Sequence, residues 1–288
     1  MSMHFVRSLR ASMSLGLLAV VVVGATAMAQ DRDRRADRDR DRGRADFRWE
    51  KSLPNGSNVH VHDVNGDISV APSTSGKVEI VGYKHGTGRY ADDLKAQVVE
   101  TRDGIVVCVV WTDSDSECDE DGYHSHGEGG DHWGRASIDL ELRVPSDIQV
   151  SANSVSGDVD ISGARGDVRA NSVSGDLHLD HLRATSVSAH SVSGDVDVQV
   201  DALSGRGDLT FKTVSGDVTL ELPRAFDADV SLSTVSGSLE SDFQMTLNGR
   251  QSRRRIEAKI GQGGRGLDVS TVSGNVRLKM SRSGESSR

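Results

Sequence analysis

Short stretches of the chain alternate apolar and polar residues with a period of two, separated by glycine-containing turns. In NSVSGDVDI (153–161), Val155, Gly157, Val159 and Ile161 fall on one face and Ser156, Asp158 and Asp160 on the other. That period predicts a β-strand, whose successive side chains point to opposite sides. The unit returns as NSVSGDLHL (171–179), HSVSGDVDV (190–198), KTVSGDVTL (212–220), STVSGSLES (233–241) and STVSGNVRL (270–278), with a looser copy, HDVNGDISV, at 62–70. Only Ala91 to Gln97 suits a helix, and it suits a turn equally.

The unit glycines Gly157, Gly175, Gly194, Gly216, Gly237 and Gly274 are separated by 18, 19, 22, 21 and 37 residues, a period of about 20 with one long step. Half-period copies, GARGDVRA (163–170) and SGRGDLTF (204–211), divide the interval, so one rung holds two short strands and two turns. An identical unit at constant phase stacks in register, which favours an all-β solenoid of stacked rungs. The competing geometry is a β-sandwich of short hairpins turning at Ser-Gly-Asp. Glycine in mid-unit is expected where layers approach closely or where φ is positive. Asp158, Asp176, Asp195 and Asp217 recur at one position and would repel across stacked rungs unless they accept turn N–H bonds or share cations. Capping of their own turns is the expectation, since Ser238 and Asn275 take the same place in the last units.

Composition narrows the core. Aromatic residues make up 4% of the chain, so a body of about 240 residues has to be packed with small β-branched side chains. The N-terminus has the layout of a secretory signal: Arg7 and Arg10, an apolar run from Leu15 to Val23, then Ala27-Met28-Ala29, with cleavage expected after Ala29. An uncleaved anchor is the alternative, and no later segment is apolar enough to span a bilayer. The expected organisation is a signal peptide at 1–29, a disordered Asp/Arg-rich spacer at 30–46, the β-repeat domain at 47–280 and a disordered tail at 281–288. Without signal and spacer the chain holds 25 basic and 37 acidic residues, net −12, which disfavours nucleic acid and anionic lipid as partners.

Together these units resemble the bacterial adhesin-like family known as domain of unknown function 4097, whose members repeat V-[SN]-G-[DN]-[VIL] strands behind a signal peptide. The likeness runs over about residues 47–280, including VHVHDVNGDISV, KVEIVGYKHG, GIVVCVVW and the closing GQGGRGLDVSTVSGNVRL. It implies a β-helix-like envelope protein and brings no catalytic or binding residues with it.

Ligand-type residues concentrate in the insertion DSDSECDEDGYHSHGEGGDH (113–132). Glu117, Asp119, Asp121, Gly122 and Glu128 occupy positions 1, 3, 5, 6 and 12 of a calcium-loop template, and hard oxygen ligands at alternate positions suit Ca²⁺. His124, His126 and His132 suit Zn²⁺ or Cu²⁺ instead. A solvated acidic loop without metal is the plainer reading. Cys108 and Cys118, the only cysteines, fit either a disulfide tying the loop to its strand or two free thiols. Arg165-Gly166-Asp167 and Arg206-Gly207-Asp208 match an attachment tripeptide but are the Gly-Asp of the half-repeat preceded by Arg, and Arg253 to Arg255 read as a solvated loop. No G-x-S-x-G, phosphate loop or HExxH is present. The expected function is a non-catalytic envelope scaffold or adhesin-like module contacting a surface polymer, another protein or a neighbouring copy. A solenoid polysaccharide-active enzyme and a periplasmic metal- or stress-sensing module are the alternatives.

Overall fold

The computed structural model describes residues 45–112, 116–125, 136–248 and 252–281. The signal segment, almost all of the spacer and residues 282–288 of the tail lie outside the described residues.

The described chain is a β-solenoid built from two large sheets of ten and eleven strands around one apolar core. Each rung gives one strand to each sheet. In chain order the pairs are Asn58–Asn65 with Ile68–Pro72, Gly104–Trp111 with Ser137–Val144, Gln149–Ser156 with Val159–Ser162, and Val168–Ser174 with Leu177–Ala184. Then follow Val187–Ser193 with Val196–Leu203, Leu209–Lys212 with Val218–Leu222, Ala228–Ser236 with Leu239–Ser241, and Gly266–Ser273 with Val276–Met280. Neighbouring rungs pair in parallel and in register: Val150 lies beside Val168, Val168 beside Val187, and Val187 beside Leu209. The hairpin sandwich is therefore not the fold.

Stack order departs from chain order at both ends. The rung of Gly104–Trp111 lies outside that of Asn58–Asn65, and Gly266–Ser273 is slotted between Leu209–Lys212 and Ala228–Ser236. At the second of these ends the long 37-residue step is the cause: the chain goes to the end of the stack, forms the antiparallel strands Met245–Leu247 and Arg255–Ile260, and returns one rung inward. At the other end Leu94–Glu100, Val78–His85 and Phe47–Lys51 close the sheets in antiparallel pairing. Such strands interrupt the parallel template that an open solenoid end would offer to other chains. The segment suited to a helix is a single helical turn, Arg89–Asp92, running into the strand Leu94–Glu100, whose pairing with Gly104–Trp111 outweighs local propensity.

The Val-Ser-Gly-Asp unit is a corner between sheets, not the middle of one strand. One strand ends at Ser156, Gly157 and Asp158 turn the chain, and the next strand starts at Val159. The two-residue alternation consequently breaks at the corner. Ser154 is buried while Val155 is exposed, so Val155 does not share the inward face of Val159 and Ile161 as the alternation predicts.

At this corner the rungs approach so closely that no side chain fits. A Cβ on Gly157 would stand 2.0 Å from the Gly66 carbonyl oxygen, and one on Gly175 2.1 Å from that of Gly157. Gly157 also has φ +152°, a conformation that side chains oppose. On one side of the glycine column, buried hydroxyls donate to its carbonyls: Ser191 to Gly175 (3.2 Å), Thr213 to Gly194 (3.0 Å), Thr271 to Gly216 (3.0 Å) and Thr234 to Gly274 (3.0 Å). On the other side, each Asp accepts the backbone N–H of the next Asp along the stack. Asp158 donates to Asp67 (3.0 Å), Asp176 to Asp158 (2.9 Å), Asp195 to Asp176 (2.8 Å) and Asp217 to Asp195 (2.7 Å). Asn275 and Ser238 continue the series. The carboxylates thus cap the neighbouring rung and not their own turn, a correction that follows from rung spacing, about 4.8 Å, being within a side chain's reach.

One rung breaks the hydroxyl column. Asp63 takes the place of the buried Ser or Thr beside Ser154, 3% exposed, and neither its Oδ2 nor the Ser154 Oγ has a hydrogen-bond partner. Burial, opposed by the Asn65 and Val64 N–H groups and reinforced by Asp139 and Asp67, raises its pKa from 3.8 to about 7.

Two consequences are measurable. Gly157→Ala should cost about 3 kcal/mol or more, read as a lower urea midpoint, because relieving the clash opens all three columns at once; an unchanged midpoint would contradict the close approach. In the folded protein Asp63 holds its proton up to about pH 7, so the folded state binds more protons than the unfolded state between that pH and its ordinary value. Its contribution to stability should therefore fall as pH rises across that window. Asp63→Ser, which restores the hydroxyl, should raise the melting temperature at pH 8 and flatten that part of the profile.

Candidate functional site

Six corners line up along one edge of the stack and expose the same two residues. In stack order the valines are Val155, Val173, Val192, Val214, Val272 and Val235, 36–57% exposed, and beside them run the exposed Ser156, Ser174, Ser193, Ser215, Ser273 and Ser236. With rungs about 4.8 Å apart, the six valines form an apolar line of about 24 Å. The ridge carries no charge along its length. A seventh member, Val64, is only 5% exposed; next to it Asn65 Nδ2 donates to the Ala136 carbonyl (2.9 Å), where the chain returns from the acidic insertion.

The glycine, the Ser or Thr and the Asp of the unit each have a structural reason to recur, but an exposed valine does not. Outward positions elsewhere on these strands vary freely, as the register column Ser151, Arg169, Ser188, Thr210, Asp268 shows. A run of six solvent-facing valines stands out against the polar outward column of the same strands, which makes it the candidate contact surface.

The described part of the acidic insertion is a β-hairpin, Ser116–Asp119 with Gly122–Ser125, and not an open loop. Cys118 is bonded to Cys108, with an S–S distance of 2.05 Å and Cα atoms 5.9 Å apart. The hairpin covers the outer side of Gly104–Trp111, where Val106, Cys108 and Val110 pack with Val99, Cys118 and Tyr123. That cover explains why GIVVCVVW is apolar on both faces. Asp119 Oδ1 accepts the N–H groups of Asp121 (2.8 Å) and Gly122 (3.1 Å) and is 3.0 Å from His124 Nε2, while Glu117 and Asp121 are exposed. His126, Glu128 and His132 lie outside the described residues. Among the described residues no three His, Cys, Asp or Glu side chains are grouped to hold a metal ion.

Further features escaped the sequence reading. His60 and His62, on the outward face of Asn58–Asn65, lie near this hairpin, and a Cβ on Gly122 would be 3.1 Å from His62 Nε2. Burial lowers the pKa of both; His60 and His124 add to the effect on His62, and Arg169 to that on His60. The alternation in VHVHDV was their signal. Arg265 is 7% exposed and donates from Nη1 to the carbonyls of Thr185 (2.7 Å) and Gly207, and from Nη2 to those of Ser204 (3.0 Å) and Gly205 (2.7 Å). It staples the links at the opposite corner, where a Cβ on Gly207 would meet the Thr185 oxygen at 2.7 Å, so the Arg-Gly-Asp of 206–208 is a corner of the fold. Gly-Gly-Arg-Gly reads as a turn, with nothing to show where the guanidinium goes. An open groove of about 520 Å³ beside it is lined by Arg206, Asp227 and Gln262.

Among known proteins, the model of the family described as Toastrack DUF4097 matches residues 136–279. No curated protein matches the chain. Similar chains are found in solved structures, among them three from bacteria. A "putative cell adhesion protein" from Clostridium sporogenes is 8% identical, with a TM-score of 0.47 over 82% of this chain and 99% of its own. A "putative adhesin" from Bacteroides fragilis is 12% identical, with a TM-score of 0.41 over 81% and 96%. Another from Parabacteroides merdae is 9% identical, with a TM-score of 0.24 over 81% and 95%. Likeness this distant says nothing of what this chain binds. The family match does take in every Val-Ser-Gly corner from Val155 to Gly274, leaving the N-terminal cap and the hairpin outside it. The chain belongs to the Toastrack DUF4097 family.

Proposed function

We propose that the protein is an exported, non-catalytic binding module of the bacterial cell envelope that makes its contacts along the valine ridge. The observation that carries this is the repetition of an exposed valine in six successive rungs at a position where the fold asks for none. A rigid solenoid holds such a line in place without ordering anything on binding, which lowers the entropic cost of a long contact. Export is supported by the Arg7 to Ala29 signal layout and by the Cys108–Cys118 bond, which suits an oxidising compartment.

Retention from solubilised envelope on the immobilised protein tests this, with Val173→Thr/Val192→Thr/Val214→Thr as the control. Threonine keeps β-branching at these exposed positions, so the control should fold as the parent does. A component held by the parent and lost by the triple variant is expected. Failure to retain any component, a second copy of the protein included, or equal retention by both proteins, would contradict the reading.

A further inference from the structure

We infer that the partner of the valine ridge is the ridge of a second copy of this chain. The inference rests on the reading of the ridge as a binding surface and names its occupant. The six valines repeat once per rung, at about 4.8 Å, and a partner that meets all of them in equivalent fashion has to repeat at the same interval. A second solenoid does so by construction, and identical side chains stacked at that spacing interdigitate into dry contacts. An extended peptide laid along the ridge presents same-face side chains every 6.6 to 6.8 Å, roughly, and falls out of step within a few rungs.

The chemistry of the ridge agrees. Its twelve exposed residues are valine and serine, so two ridges meet without burying a charge. Twelve residues a side is about half of a standard interface, so the pair is weak, with Kd on the order of 100 µM. Beyond the ridge both bodies are acidic, and the Asp column lies two to three residues away at Asp158, Asp176, Asp195 and Asp217. Like charges therefore oppose the pairing at long range, and salt that screens them should strengthen it.

Sedimentation velocity of the purified protein from about 5 to about 500 µM, at low and raised ionic strength, tests the inference. A reversible dimer is expected, with Kd several-fold lower at the higher salt. Val173→Thr/Val192→Thr/Val214→Thr and the single Val192→Lys should shift Kd upward by tenfold or more, with far-ultraviolet circular dichroism and melting temperature showing that each is folded. If Val192→Lys fails to fold, the threonine variant still gives the comparison. A monomer across the whole range would overturn the pairing, as would a dimer that both variants preserve or one that salt weakens. A monomeric protein that still retains an envelope component through its valines would end the pairing and leave the binding module standing. Absence of both would end both.

Discussion

At each corner of the solenoid a glycine sits against the carbonyl oxygen of the rung next to it, with no space for a Cβ. The remaining order of the stack depends on that approach. It brings the Ser or Thr hydroxyl within reach of the next glycine carbonyl and the Asp carboxylate within reach of the next backbone N–H, so three columns of contacts share one spacing. A carboxylate accepting a main-chain N–H is a stronger bond than a neutral pair and satisfies a donor that the turn would leave open. The repeated carboxylates, which would repel if they faced one another bare, each engage a dipole of the next rung.

The same constraint shapes the surface. Because the Ser or Thr three before each glycine is buried at the corner, the valine that follows it is turned outward, and a position that would be core in a continuous strand faces solvent. Polar side chains would serve there as well as valine for the fold itself. Their absence from six rungs, in a chain that varies other outward positions from serine to arginine to aspartate, is the observation on which the proposed contact surface rests. The hairpin of Ser116–Ser125 has a different place: it covers the outer side of one terminal rung, fixed by the Cys108–Cys118 bond, and the family match leaves it out.

Much of this was legible in the amino-acid pattern, for identifiable reasons. The spacing of Gly157, Gly175, Gly194 and Gly216 reports the rung length directly, and Val159 and Ile161 alternate because one side of a strand is buried. The half-repeats at Gly166 and Gly207 mark the second corner. Less was legible at the corner itself: counted back by twos from Val159 and Ile161, Val155 falls inward, but the phase changes at Gly157 and Asp158, and within Gln149–Ser156 it is Ser154 that faces the core. The order in which Gly274 precedes Gly237 was hidden too, since a step of 37 residues shows an excursion but not its direction. Asp63 stands in HDVNGDISV where the other units have serine or threonine, but its burial shows only when the rungs are laid in register. The valine ridge escaped notice for a related reason: the phase of the alternation changes at the turn, and the unit was read as one continuous strand.

The central claim is that the corner columns hold the stack together, and amide hydrogen exchange at Asp158, Asp176, Asp195 and Asp217 tests it most directly. These residues lie at the surface, three half-buried and one exposed, yet each N–H donates to the carboxylate of the neighbouring rung. Exchange at these four amides should be as slow as in the core strands, limited by global unfolding. Rapid exchange there, with the strands still protected, would show that the corner opens independently and that the columns follow from the fold without sustaining it.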